Sequence, residues 1–498
     1  MTEHDAPPPV TAPTIRYGSA PGRWVLLATV LGSGLAGIDA TVVNLALPSI
    51  GDDLGVGFAT LQWTITAYTL TLAALILLGG SLGDRFGRRR VFVIGVVWFA
   101  VASMLCGAAP GAGWLIAARA LQGAGAALLT PGSLAIIQSG FAPDDRARAI
   151  GAWSGFGGVA TALGPFLGGW LILAASWRWV FLVNVPLAVV VVIVALRHIP
   201  ETKDPHASRS IDVRGAALAL AGLGGITYAI IAAPVLGPAS APVLASAVVG
   251  ALALVGFVVA EAREAHPMMP LSMFASRQFS AANAVTFLVY AAIAGVFFLL
   301  AVQLQVVAGY TPLGAGMSLL PITVIMLLLS ARAGQLAQRI GPRLPMTLGP
   351  LVCAVGVLLM RTIEPGARYV TDVLPAVTVF GLGLALLVAP LTATVLAAAD
   401  VSRAGVASGV NNAVARAAGL LAVAALPALA GISGQDYSDA VAFSAGFRTA
   451  MLVATGLLLS ASVVAVIAIR DNRTADVPGA VPLRCCPVEA PPPARSPG

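Results

Sequence analysis

From Trp24 to Ile469 the apolar residues come in long blocks, broken only by short polar interruptions. An α-helix rises 1.5 Å per residue, so roughly 20 apolar residues cross the ~30 Å of hydrocarbon in a bilayer. Read on that scale, the pattern predicts fourteen spanning helices. They lie near 24–48, 60–82, 91–109, 113–138, 149–174, 178–196, 213–234, 241–262, 281–308, 313–335, 345–362, 371–398, 405–430 and 446–469. Lipid offers no hydrogen bonds to a bare backbone, so helices are the expected element throughout. An even number of spans puts both ends of the chain on one side. Residues 1–22 and 471–498 are polar and Pro-rich, and read as disordered tails. The block that starts at Trp24 is too long for the core of a cleavable signal and reads as a retained span.

Composition strengthens this reading. The 498 residues are 58% hydrophobic and 10% charged, with mean hydropathy +0.92. Soluble domains carry about 25% charged residues, so a water-facing surface cannot be built from this mixture. The net charge of +7 is therefore no sign of a nucleic-acid partner; it is read through the position of each basic residue. With a cytoplasmic N-terminus, 22 of the 28 Lys and Arg fall in inner segments. Arg178, Arg361, Arg368 and Arg448 fall outside, while Arg119 and Arg416 lie within spans. The expectation is a multi-pass protein of the cytoplasmic membrane with both termini cytoplasmic.

Other chemistry is sparse. Cys106 and Cys353 sit in apolar blocks, and Cys485 and Cys486 in the C-terminal tail. His4, His198, His206 and His266 fall in polar segments. No spacing marks a disulfide framework or a metal site. No phosphate-binding G-x-x-x-x-G-K-[ST] occurs, and no Ser/His/Asp set. The chain reads as no enzyme and as needing no cofactor.

The chain also repeats itself. "GSLGDRFGRRR" starts at Gly80 and "GQLAQRIGPRL" at Gly334, so that Gly80/Gly334, Leu82/Leu336, Arg85/Arg339 and Gly87/Gly341 coincide. Each copy follows the second span of its half. This predicts an N-terminal six-helix bundle over 23–200, loops and two inserted helices over 201–279, and a C-terminal six-helix bundle over 280–470. Repeated halves with a site at their interface are a transporter arrangement.

In this order and on these spans, the motifs resemble the major facilitator superfamily, and within it the fourteen-span multidrug:proton antiporters. "GIDATVVNLALP" from Gly37 resembles that branch's first-span motif, and "GGSLGDRFGRRR" the superfamily's loop between spans two and three. "RALQGAGAA" from Arg119 resembles its fourth-span motif and "GPFLGG" from Gly164 its fifth-span antiporter motif. "SWRWVFLVNVP" and "LQVVAGYTPLGAGMSLLP" fit as well. The resemblance implies an all-α integral membrane fold of two six-helix bundles with two extra helices between them. It also implies proton-coupled efflux of hydrophobic or amphipathic small molecules such as antibiotics. The alternative is a proton-coupled exporter or symporter of one metabolite.

Chemistry in the spans narrows to a few residues. Asp39 is the one acid deep within a span, about 22 Å along the helix from Trp24. An ionised acid there costs several kcal/mol unless paired or hydrated. A carboxyl group whose proton comes and goes with hydration is what coupling to a proton gradient requires. Arg119 lies at a compatible depth, roughly 9 Å from the outer end of span four, and is the expected partner. Gln122, one turn below, is placed to hydrogen-bond either group or the substrate. The pocket candidates are Asn44, Tyr68, Gln122, Gln305, Asn412 and Arg416. Asp84, Arg85 and Arg88 read as a latch at the inner face. Gly164, Pro165, Gly168 and Gly169 read as a close-packed, bent stretch that restricts leak. One deep acid argues against dicationic cargo and favours neutral or monocationic molecules. The expected partners are a small molecule, protons and lipid, with a monomer as the working unit.

Overall fold

The computed structural model describes residues 15–204, 211–264, 267–399, 404–432 and 439–471. Fourteen long helices run through them. The first six are α1 (Ala20–Leu54), α2 (Phe58–Phe86), α3 (Arg88–Gly107), α4 (Ala112–Gly140), α5 (Pro143–Ala174) and α6 (Trp179–His198). Next come α7 (Val213–Leu236) and α8 (Ala241–Arg263). The last six are α9 (Arg277–Val307), α10 (Pro312–Ile340), α11 (Arg343–Met360), α12 (Tyr369–Ala397), α13 (Ala404–Leu429) and α14 (Ala440–Ala468). Thirteen are long and apolar enough to cross a membrane. The other is α5, 32 residues long, whose apolar stretch among the described side chains is Leu163–Ala174.

Helices α1–α6 pack on one another, as do α9–α14, while α7 and α8 form a pair of their own. That pair is not set apart: α7 lies against both α2 and α13. The packing explains a repeat that hydropathy hides. "GAGAALL" from Gly123 in α4 and "GLGLALL" from Gly381 in α12 stand at matching places. A Cβ on Gly125 would come 2.7 Å from Phe99 N of α3, and one on Gly383 would come 2.5 Å from Cys353 N of α11. In both halves the same glycine lets the same two helices touch through their backbones. Gly125→Ala and Gly383→Ala are each expected to lower stability by about 1–3 kcal/mol through overpacking. Thermal unfolding in detergent checks this against Gly456→Ala, where a Cβ meets nothing within 4 Å.

The N-terminal tail is shorter than expected. Residues 15–22 are ordered rather than disordered, because Ile15 pairs with the α4–α5 link. Ile15 N donates to Gly140 O at 2.9 Å, and Ala142 N to Ile15 O at 3.0 Å. Ser19 then caps α1 by accepting from Gly22 N at 3.1 Å. Asp471, expected to open the C-terminal tail, is held as well, as described below. The rest of both expected tails, 1–14 and 472–498, lies outside the described residues.

Candidate functional site

Asp39 is placed by α1, and Arg119 and Gln122 by one face of α4. All three are buried, at 0%, 1% and 0% exposure. Asp39 Oδ2 accepts from Arg119 Nη1 at 2.5 Å, and Oδ1 accepts from Gln122 Nε2 at 2.8 Å and Asn184 Nδ2 at 3.3 Å. Three donors thus converge on one carboxylate, in charge-assisted geometry. Arg119 has other contacts besides the acid. Its Nε donates to Thr64 O of α2 at 3.0 Å, and its Nη1 to Gln122 Oε1 at 2.6 Å. Its guanidinium lies 4.3 Å from the centre of the Tyr68 ring and 5.7 Å from that of Phe181. These groups hold the cation on sides that Asp39 does not occupy.

A supporting layer keeps the site in register. Ser103 Oγ of α3 accepts from Gln122 Nε2 at 3.2 Å and from Asn184 Nδ2 at 3.1 Å, and donates to Phe181 O at 2.8 Å. Asn184 stands at the break in α6, between Trp179–Leu182 and the helix that resumes at Asn184. Cys106 Sγ adds a contact of 3.6 Å to Gln122 Oε1. Sequence reasoning missed Ser103, Asn184 and Cys106, although "SWRWVFLVNVP" contains Asn184. Their sequence signal is faint: each is a single polar residue in an apolar block.

The pocket candidates do not share one hydrogen-bond network. Gln122 belongs to the Asp39 network. Gln305 donates to Leu45 O at 3.1 Å and Ala301 O at 3.0 Å, so it ties α9 to α1. Asn44 Nδ2 donates to Ala40 O at 3.0 Å, and its Oδ1 is buried without a partner among the described residues. Tyr68 lies beside Arg119, with its hydroxyl also buried and, among the described residues, unpartnered. Asn412 Oδ1 accepts from Arg416 Nε at 3.4 Å on the same helix.

The gating candidates form two groups at opposite ends of the molecule. At one end Asp84 Oδ1 accepts from Arg88, with Nη2 and Nε both at 2.8 Å, and Arg85 lies over the Phe86 ring at 5.0 Å. The Asp84–Arg88 side-chain pair joins the end of α2 to the start of α3, and the backbone of both residues is tied to the segment past α6: Arg88 N donates to Thr202 O at 2.9 Å and Asp204 N to Asp84 O at 3.0 Å. A further tie to that segment runs through a side chain that sequence reasoning missed. Glu201, just past α6, accepts from Arg89 N and Arg90 N at 3.1 Å each, capping α3. The second half repeats the arrangement, with Asp471 past α14 accepting from Arg343 N of α11 at 3.0 Å. Gly87 and Gly341 turn the chain there with φ of 113° and 92°, which side chains other than glycine rarely adopt. The signal was an acid shortly after the last span of each half.

At the other end α5 fills a seam between α1 and α10. A Cβ on Gly164 would strike Thr41, and one on Gly168 would strike Val42, both on α1. A Cβ on Gly169 would lie 2.6 Å from Leu313 Cα and 2.7 Å from Pro312 O of α10. Reciprocally, a Cβ on Gly316 of α10 would strike Pro165 O. At this end Gln62 Nε2 of α2 also donates to Val423 O of α13 at 2.9 Å, and Phe58 lies 5.5 Å from Phe298 and 6.1 Å from Phe443. The two groups of six helices are closed together here.

Comparison with known proteins agrees with this architecture. The sequence profile of the Major Facilitator Superfamily matches residues 29–424. The chain is 36% identical to the puromycin resistance protein pur8 of Streptomyces alboniger, over 92% of this chain and 93% of that protein. It is 34% identical to the tetracenomycin C resistance and export protein of Streptomyces glaucescens, over 86% and 79% respectively. In fold it resembles the crystal structure of a bacterial homolog of the human lysosomal transporter Spinster, inward-facing and unoccupied. The TM-score is 0.62 at 18% identity, covering 91% of this chain and 98% of that one.

Proposed function

This chain belongs to the Major Facilitator Superfamily, and we propose that within it the protein exports hydrophobic or amphipathic small molecules, antibiotics among them, in exchange for protons. The observation that carries the proposal is the wholly buried Asp39–Arg119 pair and the alternative partners arranged around Arg119. A proton that reaches Asp39 neutralises it and removes the charge that holds Arg119. The cation then rests on Thr64 O, Gln122 Oε1 and the Tyr68 face, so it is not left bare in a dry interior. Loss of the proton restores the pair. The ionised and the protonated acid, with Arg119 paired or released, give the two states that a proton-driven cycle needs.

The α5–α10 seam supports export. Its close backbone contacts make a tight seal, and the seam sits at the end remote from Arg85–Arg90. By the distribution of basic residues that loop is cytoplasmic, so the seal faces outward and both termini face inward. The relatives named for drug resistance and export support the same cargo class. The reading takes a monomer as the working unit and the proton gradient as its driving force.

Inside-out membrane vesicles containing the protein test this reading. With the lumen acidified, a fluorescent amphipathic dye is expected to accumulate, and a protonophore to release it. Accumulation that ignores the protonophore, or that runs only out of the vesicle, would contradict proton-driven export.

A further inference from the structure

Arg416 lies near the middle of α13, about 18 Å from either end at 1.5 Å per residue. Among the described residues it meets no carboxylate, and its hydrogen bond stays on its own helix, at Asn412. A guanidinium at the bilayer midplane costs several kcal/mol unless water or a partner answers it. Arg416 is half-buried. It therefore needs an explanation that packing does not supply.

Its neighbours place it at the seam between the halves. A Cβ on Gly409 would lie 3.3 Å from Leu77 of α2, and one on Gly419 would lie 3.2 Å from Ala294 of α9. α2 runs antiparallel to α13, which brings Tyr68 to the level of Arg416. α9 runs parallel to it, which brings Tyr290, one turn before Ala294, to the same level. Tyr68 is 2% exposed, and its hydroxyl has no partner among the described residues.

Charge balance then decides what this seam binds. Asp39 is matched by Arg119, so no deep carboxylate is left to hold a cation. Arg416 has no carboxylate partner among the described residues, and the buried Tyr68 hydroxyl stands at its level across the α2–α13 seam. We infer that Arg416, with Asn412 and the Tyr68 hydroxyl, forms the head-group subsite of the transport pocket, and that its ligands are amphipathic organic anions: a carboxylate or phenolate on an apolar body. The inference rests on the transport reading above and names its substrate class. It departs from the expectation of neutral or monocationic cargo, which weighed the deep acid, and keeps Arg416 as a pocket residue. The subsite is also linked to the proton site, because Tyr68, at the level of Arg416, holds its ring beside Arg119.

The test uses the full-length protein in lipid nanodiscs and three probes that share one ring system: anthracene carboxylate, anthracene methanol and anthracene methylammonium. Wild type is expected to bind the carboxylate roughly 10- to 100-fold more tightly than the alcohol, as a charge-assisted hydrogen bond supplies. The ammonium is expected to bind no better than the alcohol. Arg416→Gln is expected to erase the gap between carboxylate and alcohol, and Arg416→Lys to keep part of it. Equal wild-type affinity for carboxylate and alcohol, tighter binding of the ammonium, or an unchanged gap in Arg416→Gln would overturn the inference. The wild-type comparison requires no variant to fold. Proton-driven uptake of the same probes by vesicles separates the two readings. Binding selectivity decides the head-group assignment, and uptake of any of the three decides transport.

Discussion

Asp39→Asn is expected to bring proton-driven accumulation in inside-out vesicles down to the level of empty vesicles, a loss of 100-fold or more on the order-of-magnitude scale of a severed coupling step. The amide keeps an oxygen that accepts from Arg119, and it fills the same space. It cannot take up a proton. The protein is therefore expected to insert, to elute as a monodisperse species and to bind probe, while a proton gradient no longer drives movement. Asp39→Ala is the harsher change. It strands the Arg119 guanidinium, 1% exposed, with no counter-charge. Breaking a buried pair this way costs about 3–5 kcal/mol, so a fall in thermal stability is expected as well. The two variants together separate coupling from folding. If Asn at this position transports as wild type does, the proton site lies elsewhere.

Gly169→Val is expected to cut transport roughly tenfold or more, by a different route. Its side chain would have to occupy space held by Leu313 Cα and Pro312 O, which are backbone atoms of a facing helix. Backbone cannot swing aside as a long side chain can, so closing the seam would cost about 1–3 kcal/mol or more. Open and closed states of a transporter differ by only a few kcal/mol, so this shifts the balance towards the state open at that end. Gly316→Val is expected to act alike, since its contact is Pro165 O. Accessibility reports the shift. In a background with Cys485 and Cys486 replaced by Ser, a cysteine at Asn44 is expected to label faster with an impermeant maleimide when Gly169→Val is present. Cys106 and Cys353 are buried and leave the background low. Unchanged labelling and unchanged transport would show that the seam is not a gate.

Some of this was legible in the sequence, for physical reasons that differ by feature. The spans were legible because a bilayer sets a length that apolar blocks must meet. Asp39 and Arg119 were legible because charge is rare inside lipid and their depths matched. Ser103 and Asn184 were not: hydroxyl and amide side chains fit singly into apolar helices without disturbing the pattern, and their shared partner lies on other helices. Glu201 was missed because an acid in a short polar link resembles ordinary solvated charge. Only the fold shows that it caps α3, as Asp471 caps α11. Ile15 was assigned to a disordered tail because one backbone pairing leaves no periodic trace. The repeat between α4 and α12 is written plainly as glycines two apart, yet its meaning appears only when each glycine is seen against the facing backbone. Gln305 was read as a pocket group. A lone amide in a span more often bridges helices, and here it does so.

The central claim is that Asp39 changes protonation during the working cycle. Infrared difference spectroscopy on the protein in membranes, before and after a transported probe is added, measures this directly. The account predicts loss of a protonated-carboxyl band on probe binding at a pH where the probe-free protein holds the proton, and absence of that band from the Asp39→Asn spectrum. A carboxyl spectrum that does not change on binding, or a changing band that persists in Asp39→Asn, would contradict it.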